Sequence, residues 1–331
     1  MHVHRRRGWE IPESEATPES AALARHGLAR RGLLGAAGFG AIAAGLATRP
    51  AEAAWNLFGA PAKLQPLKPL TAKHDDRYVA GRAITPEMNA TTYNNYYEFS
   101  DSKNLYALAQ ALPVDPWSIE FTGMVARPRK IAFDDLMKQM PLEERVTRHR
   151  CVEAWAMTVP WIGFPLAALV KLAEPLGSAR YVTFTSLADP KQMPGMDSPF
   201  YTWPYLEGVT MAEAANDLAF ISVGMYGKTL PPQNGAPLRL TLPWKYGFKH
   251  AKALVKIGFT DKRPRSFWEN LAPSEYGFWA NVNPAVPHPR WSQAQERLIG
   301  TSEVVPTQIW NGYGEFVASM YDGLKKERLF A

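Results

Sequence analysis

The chain has 1 cysteine in 331 residues, so it can form no internal disulfide and cannot bind an iron–sulfur cluster through a cysteine set. Also absent are the C-x-x-C-H of haem attachment, the C-x-x-C and H-E-x-x-H spacings of zinc sites, and a dinucleotide fingerprint. No motif for an electron carrier of its own remains. Charge of one sign is scarce too: 37 Lys and Arg face 31 Asp and Glu, and the excess of +6 falls to +4 without the first 53 residues. So mild an excess, with no Lys/Arg-rich run, argues against nucleic acid as a partner and speaks mainly to solubility. What is present is 46% hydrophobic residues, 11 Trp and 28 Pro, which predicts a loop-rich fold with rigid aromatic packing rather than a helical bundle.

Arg30-Arg31 precedes an uncharged stretch, Gly32 to Thr48, that carries five Gly and six Ala and is followed by the small residues of Ala51-Glu52-Ala53-Ala54. The stretch is shorter than the ~20 apolar residues of a comfortable membrane span. Residues 1–53 are therefore expected to be a cleaved twin-arginine signal peptide, with an ordinary secretory signal as the alternative. The twin-arginine route moves folded proteins, and a common reason to fold first is insertion of a cofactor made in the cytoplasm. It thus predicts both a periplasmic location and a cofactor. Residues 54–331 are expected to form one domain behind an extended N-terminal arm.

Along that domain, strands are expected at Trp117 to Val125, with Ile119 and Phe121 inward, at Tyr181 to Leu187, Leu218 to Val223, Leu238 to Leu242 and Leu254 to Phe259; Val146 to Val152 reads as extended. Short helices are expected at Asp134 to Met137 and after Pro165, where Leu166, Leu169, Val170 and Ala173 make an apolar face. A last helix is expected over Glu315 to Lys326 on the spacing of Phe316, Met320 and Leu324. Strands mixed with few helices, without regular alternation, predict an α+β fold rich in mixed β-sheet.

Cys151 sits in Arg148-His149-Arg150-Cys151-Val152-Glu153-Ala154-Trp155, where the cationic neighbours are expected to favour thiolate. A buried structural thiol is the plain alternative. As a reactive group it could serve a Cys–His hydrolase, a zinc site or a soft metal that brings most of its own ligands. No hydrolase signature surrounds His149, His250 or His288, and the zinc spacings are missing.

Arg150 to Trp155 followed by Val159-Pro160-Trp161-Ile162-Gly163-Phe164-Pro165 resembles the sulfite-oxidase-type molybdopterin-binding fold. Within it, the chain is most similar to the periplasmic protein-methionine-sulfoxide reductase catalytic subunits. Tyr93 to Phe99, Pro141 to Arg145, Pro231 to Pro237, Pro243 to Lys249 and His288 to Gln293 match that family's blocks in the same order, over nearly the whole mature chain. The resemblance implies a molybdenum–molybdopterin cofactor with one pterin dithiolene, and Cys151 as metal ligand and catalytic residue. It implies pterin contacts at Asn94, Tyr97, Glu98, Ser186, Asn234, Arg239, His250, Ala251 and Lys252, with Arg239 and Lys252 suited to the terminal phosphate. Two positions depart from the family. Ser186, beside Thr185, stands where it has Thr, and His250 where it has Gly.

The implied activity is reduction of methionine sulfoxide in oxidised exported proteins. A single cysteine agrees with a metal route, because thiol-type sulfoxide reductases need a resolving thiol after sulfenic acid forms. Electrons must come from outside, and the family implies a haem-containing, quinol-linked membrane subunit. A sulfite-oxidising enzyme of the same fold and a cofactor-free periplasmic binding protein are the competing expectations.

Overall fold

The computed structural model describes residues 63–331, and the expected signal peptide lies outside the described residues. In chain order the strands are β1 (Lys73–His74), β2 (Ser118–Gly123), β3 (Arg129–Ala132), β4 (Glu143–Arg150), β5 (Trp155–Pro165), β6 (Tyr181–Ser186), β7 (Leu206–Thr210), β8 (Phe220–Met225), β9 (Lys228–Thr229), β10 (Arg239–Thr241), β11 (Leu254–Thr260), β12 (Gln295–Leu298) and β13 (Val304–Pro306). The larger sheet runs β1-β4-β5-β12-β13, and β8, with β9 and β10 beside it, also joins β5. The smaller sheet has the order β3-β2-β11-β6-β7 and mixes parallel with antiparallel pairs. This is the expected mixed α+β architecture.

β5 organises the larger sheet. It pairs with β4 along its length, with β12 at Trp155 and Ala156, and with β8 from Trp161 onward. Covered on both faces, it is buried at every residue but the last. Sequence reading missed it because Pro160 and Pro165 interrupt the apolar run, and proline argues against a central strand. The structure accommodates Pro160 where β5 changes neighbour from β12 to β8.

β4 and β5 form a hairpin whose turn is Cys151 to Ala154. The Cys151 N–H donates to the Trp155 carbonyl at 2.9 Å and the Ala154 N–H to the Cys151 carbonyl at 3.1 Å, with Ala154 in the left-handed region at φ 61°. Outside contacts lock this turn. Arg150, fully buried, pairs with Glu296 at 2.7 Å and donates to the Gln293 side chain at 2.9 Å. The next carbonyl, Val152, accepts from Trp291 Nε1 at 2.7 Å and Gln293 Nε2 at 2.8 Å. The His288 to Gln293 block thus clamps the cysteine turn.

Most expected elements form. Ile119 and Phe121 of β2 are fully buried, a helix spans Phe133–Met137, and another spans Leu166–Ala173 with Leu166, Leu169 and Ala173 inward. β8 begins two residues later than expected. The terminal helix requires correction: it covers only Gly314–Val317 and passes into a 3₁₀ turn at Ala318–Tyr321. Val317 leaves helical geometry at φ −132°, and the Phe316 carbonyl accepts instead from Asn216 Nδ2 at 2.9 Å. The alternating aromatics Trp244, Tyr246 and Phe248 lie on turns rather than on a strand face.

Two short helices, Met211–Ala215 and Phe267–Leu271, went unpredicted although each carries a capping box, Thr210 with Glu213 and Ser266 with Glu269. Replacing Glu296 by Gln would leave the Arg150 guanidinium buried without its anion. We expect a loss of about 3–5 kcal/mol in urea unfolding of the cofactor-free protein, and a loss below ~0.5 kcal/mol would show that the pair does not hold the turn.

Candidate functional site

Alternate residues of β5, Trp155, Met157, Val159 and Trp161, line one cavity. Across the hairpin, His149 and Cys151 reach the same space, and Met225 of β8 extends the wall. From elsewhere come Asn94, Asn95, Tyr97 and Glu98 after the helix Glu87–Thr92, and Asn234 and Arg239 around the left-handed Gly235. Phe248, Ala251, Lys252, Trp268 and Tyr276 contribute further wall residues.

Eight of the ten sequence-predicted residues line this one cavity: Asn94, Tyr97, Glu98, Cys151, Asn234, Arg239, Ala251 and Lys252. Ser186 and His250 are buried but do not line it. Ser186 ends β6, opposite Leu254 of β11, and its hydroxyl has no partner. His250 has an ordinary φ of −93°, so a side chain costs nothing where the family has glycine; its Nε2 meets the Leu242 carbonyl at 2.9 Å.

Cys151 Sγ accepts from Asn95 Nδ2 and from the Glu153 N–H, each at 3.4 Å. Burial, reinforced by the nearby Glu153 carboxylate, pushes the thiol up to about 12. Lys103 and Arg150 pull it down, as the sequence leads one to expect of nearby cations, but burial outweighs them. Strand alternation sends Arg148 and Arg150 to the opposite face, where Arg148 binds the Ala80 carbonyl and Gln308 while Arg150 binds Glu296. A metal ion that replaces the proton would supply what the cations do not.

Sequence reading assigned no role to Glu153 and overlooked Lys103. Lys103 pairs with Glu153 at 2.6 Å, and Glu153 also accepts from Trp155 Nε1 at 2.9 Å and Asn95 Nδ2 at 3.2 Å. Burial pulls the Glu153 carboxyl upward, but these donors win and hold it below its usual range. The signal for Lys103 was weak, since it lies fifty residues from its partner in an exposed-looking loop.

The wall also holds two cations, Arg239 and Lys252. Arg239 is buried over the Trp161 ring; it donates to the Asn234 carbonyl at 3.0 Å and, among the described residues, has no carboxylate in ion-pair contact. Burial lowers it to about 10. Burial and then Arg239 lower Lys252 to about 8, while burial raises Glu98 to about 7 against the pull of Lys252. Asn94 Oδ1, Asn234 Oδ1, His149 Nδ1 and Arg239 Nε are buried without partners. Each such group costs about 1–3 kcal/mol unless a ligand satisfies it. The wall therefore fits an elongated, anionic ligand with polar edges and a group able to take a soft sulfur donor. No cluster of three or more His, Cys, Asp or Glu suited to a metal occurs among the described residues, so a metal here needs ligands from outside the chain.

Glu98 gives a test that needs no ligand. Its folded value near 7 lies above the ordinary 4.5, so the fold is favoured below pH 4.5 and loses that advantage as pH rises to 7. In cofactor-free protein, Glu98→Gln should match wild type near pH 4.5 and exceed it by about 2–3 kcal/mol above pH 7. Parallel stability curves for the two proteins from pH 4.5 to 8 would contradict this.

A family model described as "Oxidoreductase molybdopterin binding domain" matches residues 108–268. The protein-methionine-sulfoxide reductase catalytic subunit MsrP of Ralstonia nicotianae is 47% identical over 98% of this chain and 97% of its own length. MsrP of Burkholderia mallei is likewise 47% identical over 98% of this chain and 96% of its own. The crystal structure of the sulfane dehydrogenase SoxCD from Paracoccus pantotrophus aligns with 91% of this chain and 70% of its own at 15% identity, with a TM-score of 0.45, too distant a likeness to inform the site. Full-length identity near one half, together with the molybdopterin domain across the core of the sheets, leads to one conclusion: the chain belongs to the family of protein-methionine-sulfoxide reductase catalytic subunits, molybdopterin-dependent oxidoreductases.

Proposed function

We propose that this chain reduces methionine sulfoxide residues of exported proteins in the periplasm, at a molybdenum centre ligated by Cys151 and one pterin dithiolene. The observation that carries this reading is a single cavity lined by the lone thiol and by two cations, buried Arg239 and half-buried Lys252, that have no carboxylate in ion-pair contact among the described residues. When bound, the molybdenum group supplies two-electron oxygen-atom chemistry, so that sulfoxide, two electrons and two protons give thioether and water.

The chain's own part is to hold and exclude. A soft thiolate from Cys151 suits the metal. The Asn94 and Asn234 amides and the Tyr97-Glu98 pair offer donors and acceptors to the pterin edges, with Ser186 and the His250-Ala251-Lys252 segment behind them. Arg239 and Lys252 neutralise the terminal phosphate, the first by a fork and the second as a point charge. Above Cys151, the Lys103–Glu153–Asn95 network fixes polar groups beside the sulfur, while Tyr97, Trp268 and Tyr276 narrow the approach with edge-packed rings.

Export by the twin-arginine route rests on Arg30-Arg31 and the uncharged stretch behind it, and agrees with an enzyme that must fold around its cofactor first. The chain has no haem, iron–sulfur or dinucleotide motif, which supports an external electron donor; the family resemblance makes this a haem-containing, quinol-linked membrane subunit. Among the described residues no helix is long and apolar enough to cross a membrane.

The holoenzyme should carry molybdenum and pterin and reduce oxidised methionyl protein with a reduced viologen dye. Cys151→Ser should lower that turnover by roughly a hundredfold or more, an alcohol being a harder and poorly ionised donor. Full turnover by Cys151→Ser would defeat the ligand assignment, and wild type that oxidises sulfite without reducing sulfoxide would defeat the activity.

A further inference from the structure

We propose that His149 is a further cofactor contact, its imidazole hydrogen-bonding the pterin. The inference rests on the reading that the cofactor fills this cavity. It adds a residue that neither the family blocks nor the expected pterin contacts include.

His149 lies two residues before Cys151 at the end of β4, so strand alternation turns both side chains toward one face, and both line the cavity. The ring is held from three sides. Trp155 packs at 5.8 Å between centroids, His250 meets it edge-on at 5.0 Å, and the Gly247 backbone closes the third side. A Cβ at Gly247 would come within 2.9 Å of His149 Cε1 and Nε2, and Gly247 does not have a positive φ. That glycine is therefore present to give the ring room, not to permit a special backbone conformation. A ring so placed is preorganised for a contact.

Yet the contact is missing from the chain itself. His149 Nδ1 is buried with no partner, and the ring has no carboxylate within ion-pair distance among the described residues. An imidazole nitrogen can serve a ligand as hydrogen-bond donor or acceptor. Cys151, Arg239 and Lys252 line the same cavity. A ring nitrogen turned toward a ligand bound there would help to hold it.

The test compares wild type, His149→Leu and His149→Gln, each made in a host that supplies the cofactor. Molybdenum and pterin per chain, the visible absorption band and the Mo(V) paramagnetic resonance signal are measured. His149→Leu, matched in bulk but without hydrogen bonding, should retain roughly tenfold less pterin after gel filtration. His149→Gln, which keeps a donor, should retain it with a shifted resonance signal. A fully loaded His149→Leu with wild-type spectra would overturn the inference alone, whereas wild type without molybdenum would overturn the underlying reading as well. Should circular dichroism show that His149→Leu fails to fold, His149→Gln decides: wild-type occupancy with unshifted spectra refutes the contact.

Discussion

The site depends on how the chain turns between β4 and β5. Four residues, Cys151 to Ala154, must reverse direction while presenting one sulfur to a cavity, and a free hairpin turn would not do so reproducibly. The fully buried pair of Arg150 and Glu296 anchors one side of the turn, and Trp291 and Gln293 grip the Val152 carbonyl. Buried ion pairs add little net stability over apolar packing, but removing one member is costly. Here the geometry gains more than the stability does. A segment some 140 residues downstream fixes the position of the thiol, so the turn and the C-terminal blocks act as one unit.

Around that sulfur the cavity wall is left unfinished. Two cations lack a contacting carboxylate, several amide and ring atoms lack partners, and burial holds the thiol protonated. Each feature destabilises the fold, and under the proposed reading each would be relieved by the same cofactor. Cofactor binding and stability are coupled for that reason, since whatever binds only the folded chain stabilises it by mass action. The strong sheets on either side, with β5 buried on both faces, supply the rigidity that keeps such a wall open.

Much of this was legible in the sequence, and for identifiable reasons. Strand patterns located β2, β6 and β11, and of the ten site residues that the resemblance implied, eight meet in the cavity. β5 was hidden because its prolines mimic breakers, and only the change of partner beside Pro160 explains its presence. The charges around Cys151 were a poor guide because burial outweighs them: Arg150 still pulls the thiol down, although its own ion pair is with Glu296. The two capping boxes, Thr210 with Glu213 and Ser266 with Glu269, were readable and overlooked. Lys103, by contrast, carries no local signal. Its importance comes only from the fold that brings it to Glu153, as the importance of Gly247 comes from the ring of His149.

The central claim is that residue 151 donates its sulfur directly to the metal. X-ray absorption at the molybdenum edge of the wild-type holoenzyme counts sulfur neighbours without relying on turnover. The account predicts a thiolate sulfur in addition to the dithiolene pair; a metal surrounded by dithiolene sulfur and oxygen alone would contradict it.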